Sequence, residues 1–393
     1  MHWSKAPTNG IDFMGARSHS ATVVGHRIFV FGGSDRDENF NDLLIFDTET
    51  LYWSKPETHG QKGSIPTPQR AHSATLVGTR ILVFGGGDGS NYFNDLYSLD
   101  TKTLTWSKPI TSGQCPGPRR AHSANLVGSK LWIFGGGNGN KALNELYCLD
   151  TMTMTWSQIT PGGTPPIGRG YHISEVIDGK IAIIGGSDGA ECFSDFHLYS
   201  PSKNTWKKVP IKGPTPMLSH ASVIVGRNIV VFGGHNASDY INSLQTFDLG
   251  RRKWEDRQTS GTAPEPRGYH CCCFVNHRMF VIGGYDGTQC FKDVYMLDLG
   301  EFAANELVRK KMTLQGLTPP VTTPPPSQGH PTSPLASSQP LPSSITSPLS
   351  KSARPAAPRI ASFGVKSSSA ANITTSGASS SSSPANKLSP NQV

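Results

Sequence analysis

Charged residues are scarce in this 393-residue chain: Asp, Glu, Lys and Arg make up only 16% of it, which argues against long solvated helices. Acidic residues stop altogether at Glu306, whereas Arg309, Lys310, Lys311, Lys351, Arg354, Arg359, Lys366 and Lys387 follow it. Those eight positive charges account for the whole formal charge of +8, so the part before them is neutral, with 28 basic and 28 acidic residues. A neutral body has no basic face for phosphate, and no Arg/Lys stripe runs between its aromatics, so nucleic acid is not expected as a partner. The seven cysteines contain no CxxC pair, and no run of about 18 apolar residues exists to cross a membrane. Nor does the start, Met1-His2-Trp3-Ser4-Lys5, carry an apolar stretch of signal-peptide length. The expectation is a cytoplasmic, monomeric protein with reduced thiols and no transmembrane segment.

What the chain has in plenty is glycine (42) and proline (30), the punctuation of many short strands. The glycines recur with a period near 50, as pairs at Gly32-Gly33, Gly85-Gly86, Gly135-Gly136, Gly185-Gly186, Gly233-Gly234 and Gly283-Gly284. Thirteen residues before each pair stands a histidine: His19, His72, His122, His172, His220 and His270. Fourteen residues after the second glycine stands Asp47, Asp100, Asp150, Asp248 or Asp298, with Ser200 the exception. Twenty residues after it stands Trp53, Trp106, Trp156, Trp206 or Trp254. The length varies only between a Trp and the next His, in segments rich in Pro, Gly, Thr and Ser that read as loops.

Within a unit, His19–Val24 and Arg27–Phe31 flank Gly25-His26, the pattern of a tight hairpin. The second run is apolar on both faces and should be buried on both. A third strand follows near Leu43–Phe46, and a short fourth carries the Trp. The ends of the chain choose between a solenoid and a ring. The sixth unit places Ala304 where its Trp should be, while Trp3-Ser4-Lys5 at the start repeats Trp53-Ser54-Lys55. The spare strand supplies what the last unit lacks, so the prediction is an all-β, six-bladed β-propeller closed by its N-terminal strand, which leaves every sheet edge short.

This His, Gly-Gly, Asp and Trp spacing resembles the Kelch repeat over residues 1–303. The resemblance implies a non-catalytic protein-interaction scaffold, similar to cytosolic fungal polarity markers and Rab-effector Kelch proteins, in trafficking, polarity or signalling. Two alternatives are a ubiquitin-ligase substrate adaptor and a metal-dependent propeller enzyme of oxidase or lyase type. Kelch-type specifier proteins bind iron through Glu and Asp four apart and a His four further on. Glu38/Asp42 and Glu191/Asp195 have the first spacing, but Phe46 and Tyr199 stand where the His should be. No enzyme activity, cofactor or metal is therefore expected.

If the first strand of each unit runs upward, the loops between second and third strands share one face with the loops between units. Their sequences differ from unit to unit, so partner binding is expected there. Its candidate residues are Arg17, Arg36, Arg70, Tyr92, Arg120, Lys141, Arg169, Glu191, Tyr240, Arg267 and Tyr285. Arg17, Arg70, Arg120, Arg169 and Arg267 precede the histidines by two or three residues and should ring the channel mouth, either bonded to carbonyls of neighbouring blades or free to meet acidic side chains. Asp35, Asp88, Asn138, Asp188, Asn236 and Asp286, two past each Gly-Gly, read as turn residues. The six histidines, being equivalent by repeat, read as structural, not as metal ligands. In Cys271-Cys272-Cys273 strand alternation turns the middle thiol away from the other two. Residues 304–312 form a short basic hinge, and 313–393 a Ser/Pro-rich tail expected to be disordered. Its Ser/Thr-Pro dipeptides, such as Ser333-Pro334 and Ser383-Pro384, are candidate phosphorylation sites that would tune a positively charged tether.

Overall fold

The computed structural model describes residues 1–211 and 215–304, so the hinge beyond 304, the tail and its candidate phosphorylation sites lie outside the described residues. Six antiparallel four-stranded blades follow one another along the chain. Blade 1, the pattern for the rest, comprises Ser20–Val24, Arg27–Phe31, Leu43–Asp47 and Tyr52–Ser54 from the channel outward. The inner strands of blades 2 to 6 are Ser73–Val77, Ser123–Val127, Ile173–Ile177, Ala221–Val225 and Cys271–Val275. The second strands are the apolar ones, and in each the four residues before Gly-Gly are buried.

The sixth blade closes as expected. His2–Lys5 pairs antiparallel with Val294–Asp298, Trp3 opposite Leu297. Trp3 is buried and its ring lies 5.0 Å from Phe232 of blade 5. A correction concerns the inter-blade segments. They are not plain loops: Asn9–Gly10, His59–Gly60, Ser112–Gly113, Gly162–Gly163 and Ser260–Gly261 each add a two-residue parallel strand to a blade's outer edge. The glycine is required there, because a Cβ at Gly10 would lie 2.1 Å from the Trp53 carbonyl oxygen, at φ +91°. The addition occupies part of the edge strand's free hydrogen-bonding groups.

Two closed rings of backbone hydrogen bonds bind blade to blade. In the first, Ser18, Ala71, Ala121, Tyr171, Ser219 and Tyr269 each donate N–H to the preceding member's carbonyl, and Ser18 N–H to Tyr269 O, at 2.9 Å, closes the circle. All six take a left-handed φ between 53° and 59°, a conformation paid for by the ring it completes. In the second, the N–H of Gly33, Gly86, Gly136, Gly186, Gly234 and Gly284 reaches the carbonyl three residues before the next blade's histidine, at 2.8 to 2.9 Å.

The repeat signature is thus one interlocked contact. The next blade's imidazole abuts the first glycine through Cε1: a Cβ at Gly85 would stand 2.8 Å from both Arg119 O and His122 Cε1. In blades 1, 2, 3 and 5 the residue before that glycine is a phenylalanine that meets the same histidine and the next blade's tryptophan, as Phe84 does with His122 at 5.4 Å and Trp156 at 5.2 Å; Ile184 and Ile282 take its place in blades 4 and 6. Asp47 and Asp100 accept two backbone N–H bonds each in the turn to the fourth strand.

Candidate functional site

Loop pairing fixes the composition of one face. The residue two before each histidine bridges to the residue just past Gly-Gly, which bridges in turn to a residue five further on: Arg17–Ser34–Asn39, Arg70–Gly87–Tyr92, Arg120–Gly137–Ala142, and on to Gly268–Tyr285–Cys290. The inter-blade passages and the second-to-third-strand loops therefore form one surface around the channel mouth. Its loops are held by Asx turns, with Asp35, Asp88, Asn138, Asp188, Asn236 and Asp286 each accepting two backbone N–H bonds.

The arginines split into two sets one residue apart. Arg17, Arg70 and Arg120, two before the histidine, are half-buried at the mouth, and each leans on the preceding blade. Arg17 lies 4.4 Å over the Tyr285 ring and Arg120 4.9 Å over Tyr92, while Arg70 Nη1 donates to Ser34 Oγ at 3.1 Å. No carboxylate forms an ion pair with any of the three among the described residues, and the buried Nε of Arg120 has no hydrogen-bond partner there. Burial depresses the Arg70 pKa; Tyr171 and Asp88 oppose that depression, and the charges of Arg17 and Arg120 add to it.

Arg169 and Arg267 require a correction. Both stand three before the histidine and are fully buried, so they cannot reach a partner. Arg169 donates to Gly185 O at 2.9 Å and to the Asp195 carboxylate. Arg267 does the same with Gly283 O and Asp293. Arg119, which the spacing argument passed over, is the third of this kind, bonded to Gly135 O and Glu145. The carbonyls belong to the arginine's own blade, not to a neighbour. Burial opposes ionisation of Asp195, but hydrogen bonds from His197 and Arg169 outweigh it and hold the carboxyl well below its usual range. A sequence signal existed: an acid lies 26 residues after Arg119, Arg169 and Arg267, whereas blade 5 has Met217 and Ser243 at those two positions.

Beside the three arginines, and touching them where Arg17 lies over Tyr285, blades 4 to 6 present an aromatic arc. Tyr171 and Tyr269 pack edge to face at 5.2 Å, Tyr240 lies 6.0 Å from Tyr285, and His235 meets Tyr240 at 4.7 Å. Tyr171, Tyr269 and His235 were not singled out by the sequence, because tyrosines are also ordinary strand residues. The remaining candidates, Arg36, Lys141 and Glu191, are exposed on the outer loop tips.

The channel below is a cavity of about 150 Å³ lined by the six histidines. Burial lowers His19 and His220 to about 4, and His72, His172 and His270 to about 3, so the rings are neutral. His72, His122 and His172 bond through Nε2 to Ser20, Ser73 and Ser123 of the preceding blade, each at 2.9 Å. Asp42 pairs with Lys55 at 2.8 Å and Asp195 with Arg169, and among the described residues no three His, Cys, Asp or Glu converge as a metal site. The thiols of Cys271 and Cys273 both face carbonyls of blade 1, His19 O and Ala21 O, while Cys272 packs against the core between blades 5 and 6. No helix among the described residues is long and apolar enough to cross a membrane.

Comparison with known proteins bears on the repeat and the fold. Mouse Rab9 effector protein with kelch motifs is 42% identical over 92 residues, covering 22% of this chain and 23% of that protein. Host cell factor of Drosophila melanogaster is 34% identical over 132 residues (28% of this chain, 8% of that one). Tip elongation aberrant protein 1 of Schizosaccharomyces pombe is 36% identical over 104 residues (25% and 9%). The chain thus spans less than a third of the length of the relatives it matches. The model of the KLHDC2/KLHL20/DRC7 Kelch-repeats domain matches residues 1–64, 19–226 and 213–336, and with six such blades in a closed ring the chain belongs to the Kelch-repeat propeller family.

Proposed function

We propose that the protein is a non-catalytic scaffold whose channel mouth holds an acidic segment of a partner protein. One observation carries this reading: Arg17, Arg70 and Arg120 converge, half-buried, with no carboxylate paired to any of them among the described residues. Like charges brought together at the cost of desolvation favour an anionic ligand, and guanidinium forks suit carboxylates. The adjoining tyrosine arc supplies apolar contact area with polar tips, the composition of a protein-binding hot spot. Effector proteins among the relatives support a protein partner, and a Rab effector among them supports trafficking in the cytoplasm as the setting. The propeller acts as a monomer in this reading.

The test is affinity capture with the full chain and with an Arg17→Glu/Arg70→Glu/Arg120→Glu variant, followed by titration with acidic and neutral synthetic peptides. The expected result is loss of the captured partner and a fall of at least about tenfold in acidic-peptide affinity, while Lys141→Glu at the outer rim changes little. An unchanged partner set with the triple variant sinks the proposal.

A further inference from the structure

The passage from blade 6 into blade 1 is unlike the other five. Six residues before the histidine the other passages carry Pro66, Pro116, Pro166, Pro214 and Pro264; blade 1 carries Phe13, followed by Met14 and Gly15. Phe13 is buried, its ring stacked on Trp53 at 5.2 Å and 9°. That placement leaves Ile11 and Met14 outside, 39% and 66% exposed. Between this loop and the second-to-third-strand loop of blade 1 opens a cleft of about 270 Å³ floored by Val30, Phe40 and Leu44. Asp12, Glu38 and Asp42 stand around it, and only Asp42 has an ion-pair partner among the described residues, Lys55 at 2.8 Å. Three carboxylates and one ammonium leave the rim at −2.

An exposed apolar cleft with an acidic rim is built to receive an apolar side chain flanked by cations. Residues 359–366 of this chain, Arg-Ile-Ala-Ser-Phe-Gly-Val-Lys, have that composition. Phe363 is the one aromatic residue after 304, Ile360 and Val365 accompany it, and Arg359 with Lys366 supplies +2. The 55 residues from Ala304 to Arg359 have a contour of up to about 180 Å, ample to pass round the propeller. Tethering raises the effective concentration to the millimolar range, enough for a contact of modest intrinsic strength. We propose that residues 359–366 dock in the blade 1 cleft of the same molecule, Phe363 against Met14 and Phe40. The inference is independent of the acidic-ligand reading of the mouth.

Met14 is itself the reporter. Peptide-resolved methionine oxidation of the full chain compares it with Met152, 81% exposed in the turn between the third and fourth strands of blade 3. Docking predicts that Met14 oxidises about tenfold more slowly than Met152, as occupancy near 90% requires. Phe363→Ser lies outside the propeller and cannot unfold it, and should restore Met14 to the rate of Met152. Asp12→Lys/Glu38→Lys should restore it in part. Equal Met14 rates in the wild type and Phe363→Ser overturn the proposal. So does protection that disappears on dilution, which would put the segment of a second copy in the cleft.

Discussion

The inner rings and the mouth of this propeller are built on opposite principles. Around the channel every blade repeats the same device, a histidine on a glycine and a left-handed residue in a closed hydrogen-bond circle. At the mouth, a few ångströms above, the six-fold rule is broken: blades 1 to 3 present Arg17, Arg70 and Arg120, where blades 4 to 6 have Gly170, Leu218 and Gly268 with tyrosines around them. Residues that obey the repeat hold the ring together. Those that depart from it are free to be chosen for a ligand.

The largest effect should come from breaking closure. Without residues 1–10, blade 6 loses the partner of Val294–Asp298, and Phe232 loses the Trp3 ring. An open apolar edge of that kind invites pairing with other chains. The expected outcome is aggregation and no cooperative melting, checked by light scattering and circular dichroism. A truncated chain that melts like the intact one would show that the ring does not depend on its N-terminal strand.

Acid should come next, because all six inner histidines are held neutral. Their folded pKa values lie below the ordinary 6.5, so between about pH 6.5 and 4 the unfolded chain binds protons that the folded one refuses. Their stability contribution is complete above 6.5 and is lost as pH falls towards the folded values. Six groups at 1.36 kcal/mol per unit give a slope of up to about 8 kcal/mol per pH unit. Glu175, on the inner strand of blade 4, has the opposite sign. Burial raises its carboxyl to about 7, against a hydrogen bond from Ser222, so its contribution fades as pH rises through 7. One such group cannot offset six. Cooperative unfolding should fall between pH 6 and about 4 with uptake of roughly six protons, measured by potentiometric titration beside circular dichroism; a folded chain at pH 3.5 would contradict the neutral-ring account.

Much of this was legible in the sequence because repetition averages out local ambiguity. One histidine thirteen residues before one glycine says little, but six copies fix a contact, and the orphan Trp3 fixes how the ring closes. The mouth was less legible, since the binding proposed there rests on residues that depart from the repeat. Arg119 and Arg120 are neighbours, yet the first is buried against Glu145 and the second leans on Tyr92, because a one-residue offset in this backbone separates interior from mouth. The two-residue edge strands were missed for another reason: a pair such as His59-Gly60 is too short to show any hydrophobic alternation.

Two glycines of nearly equal φ separate backbone freedom from contact. Gly85 (φ +65°) has Arg119 O and His122 Cε1 where a Cβ would stand, whereas Gly25 (φ +63°) has nothing within 4 Å. Alanine at Gly25 meets only the left-handed penalty, about 1 kcal/mol. Alanine at Gly85 adds a clash with fixed backbone and should lose about 3 kcal/mol or more. Urea denaturation of the two variants measures the gap, and equal losses would mean that the histidine–glycine contact adds nothing to the repeat.

The smallest effect on the fold is the most telling about the mouth. Arg70→Gln removes one hydrogen bond to Ser34, which is worth about 1 kcal/mol. It also relieves the repulsion from Arg17 and Arg120, which burial has brought together on one rim. The two changes oppose each other, so stability should stay within about 0.5 kcal/mol of the wild type. The wild type, whose like charges are screened by salt, should gain slightly in stability between low and physiological ionic strength, and Arg70→Gln should lose most of that gain. A loss of several kcal/mol on Arg70→Gln would place this arginine with Arg119, Arg169 and Arg267 as part of the frame. A neutral result with a flattened salt dependence is what a residue kept for a ligand, at no benefit to the fold, would give.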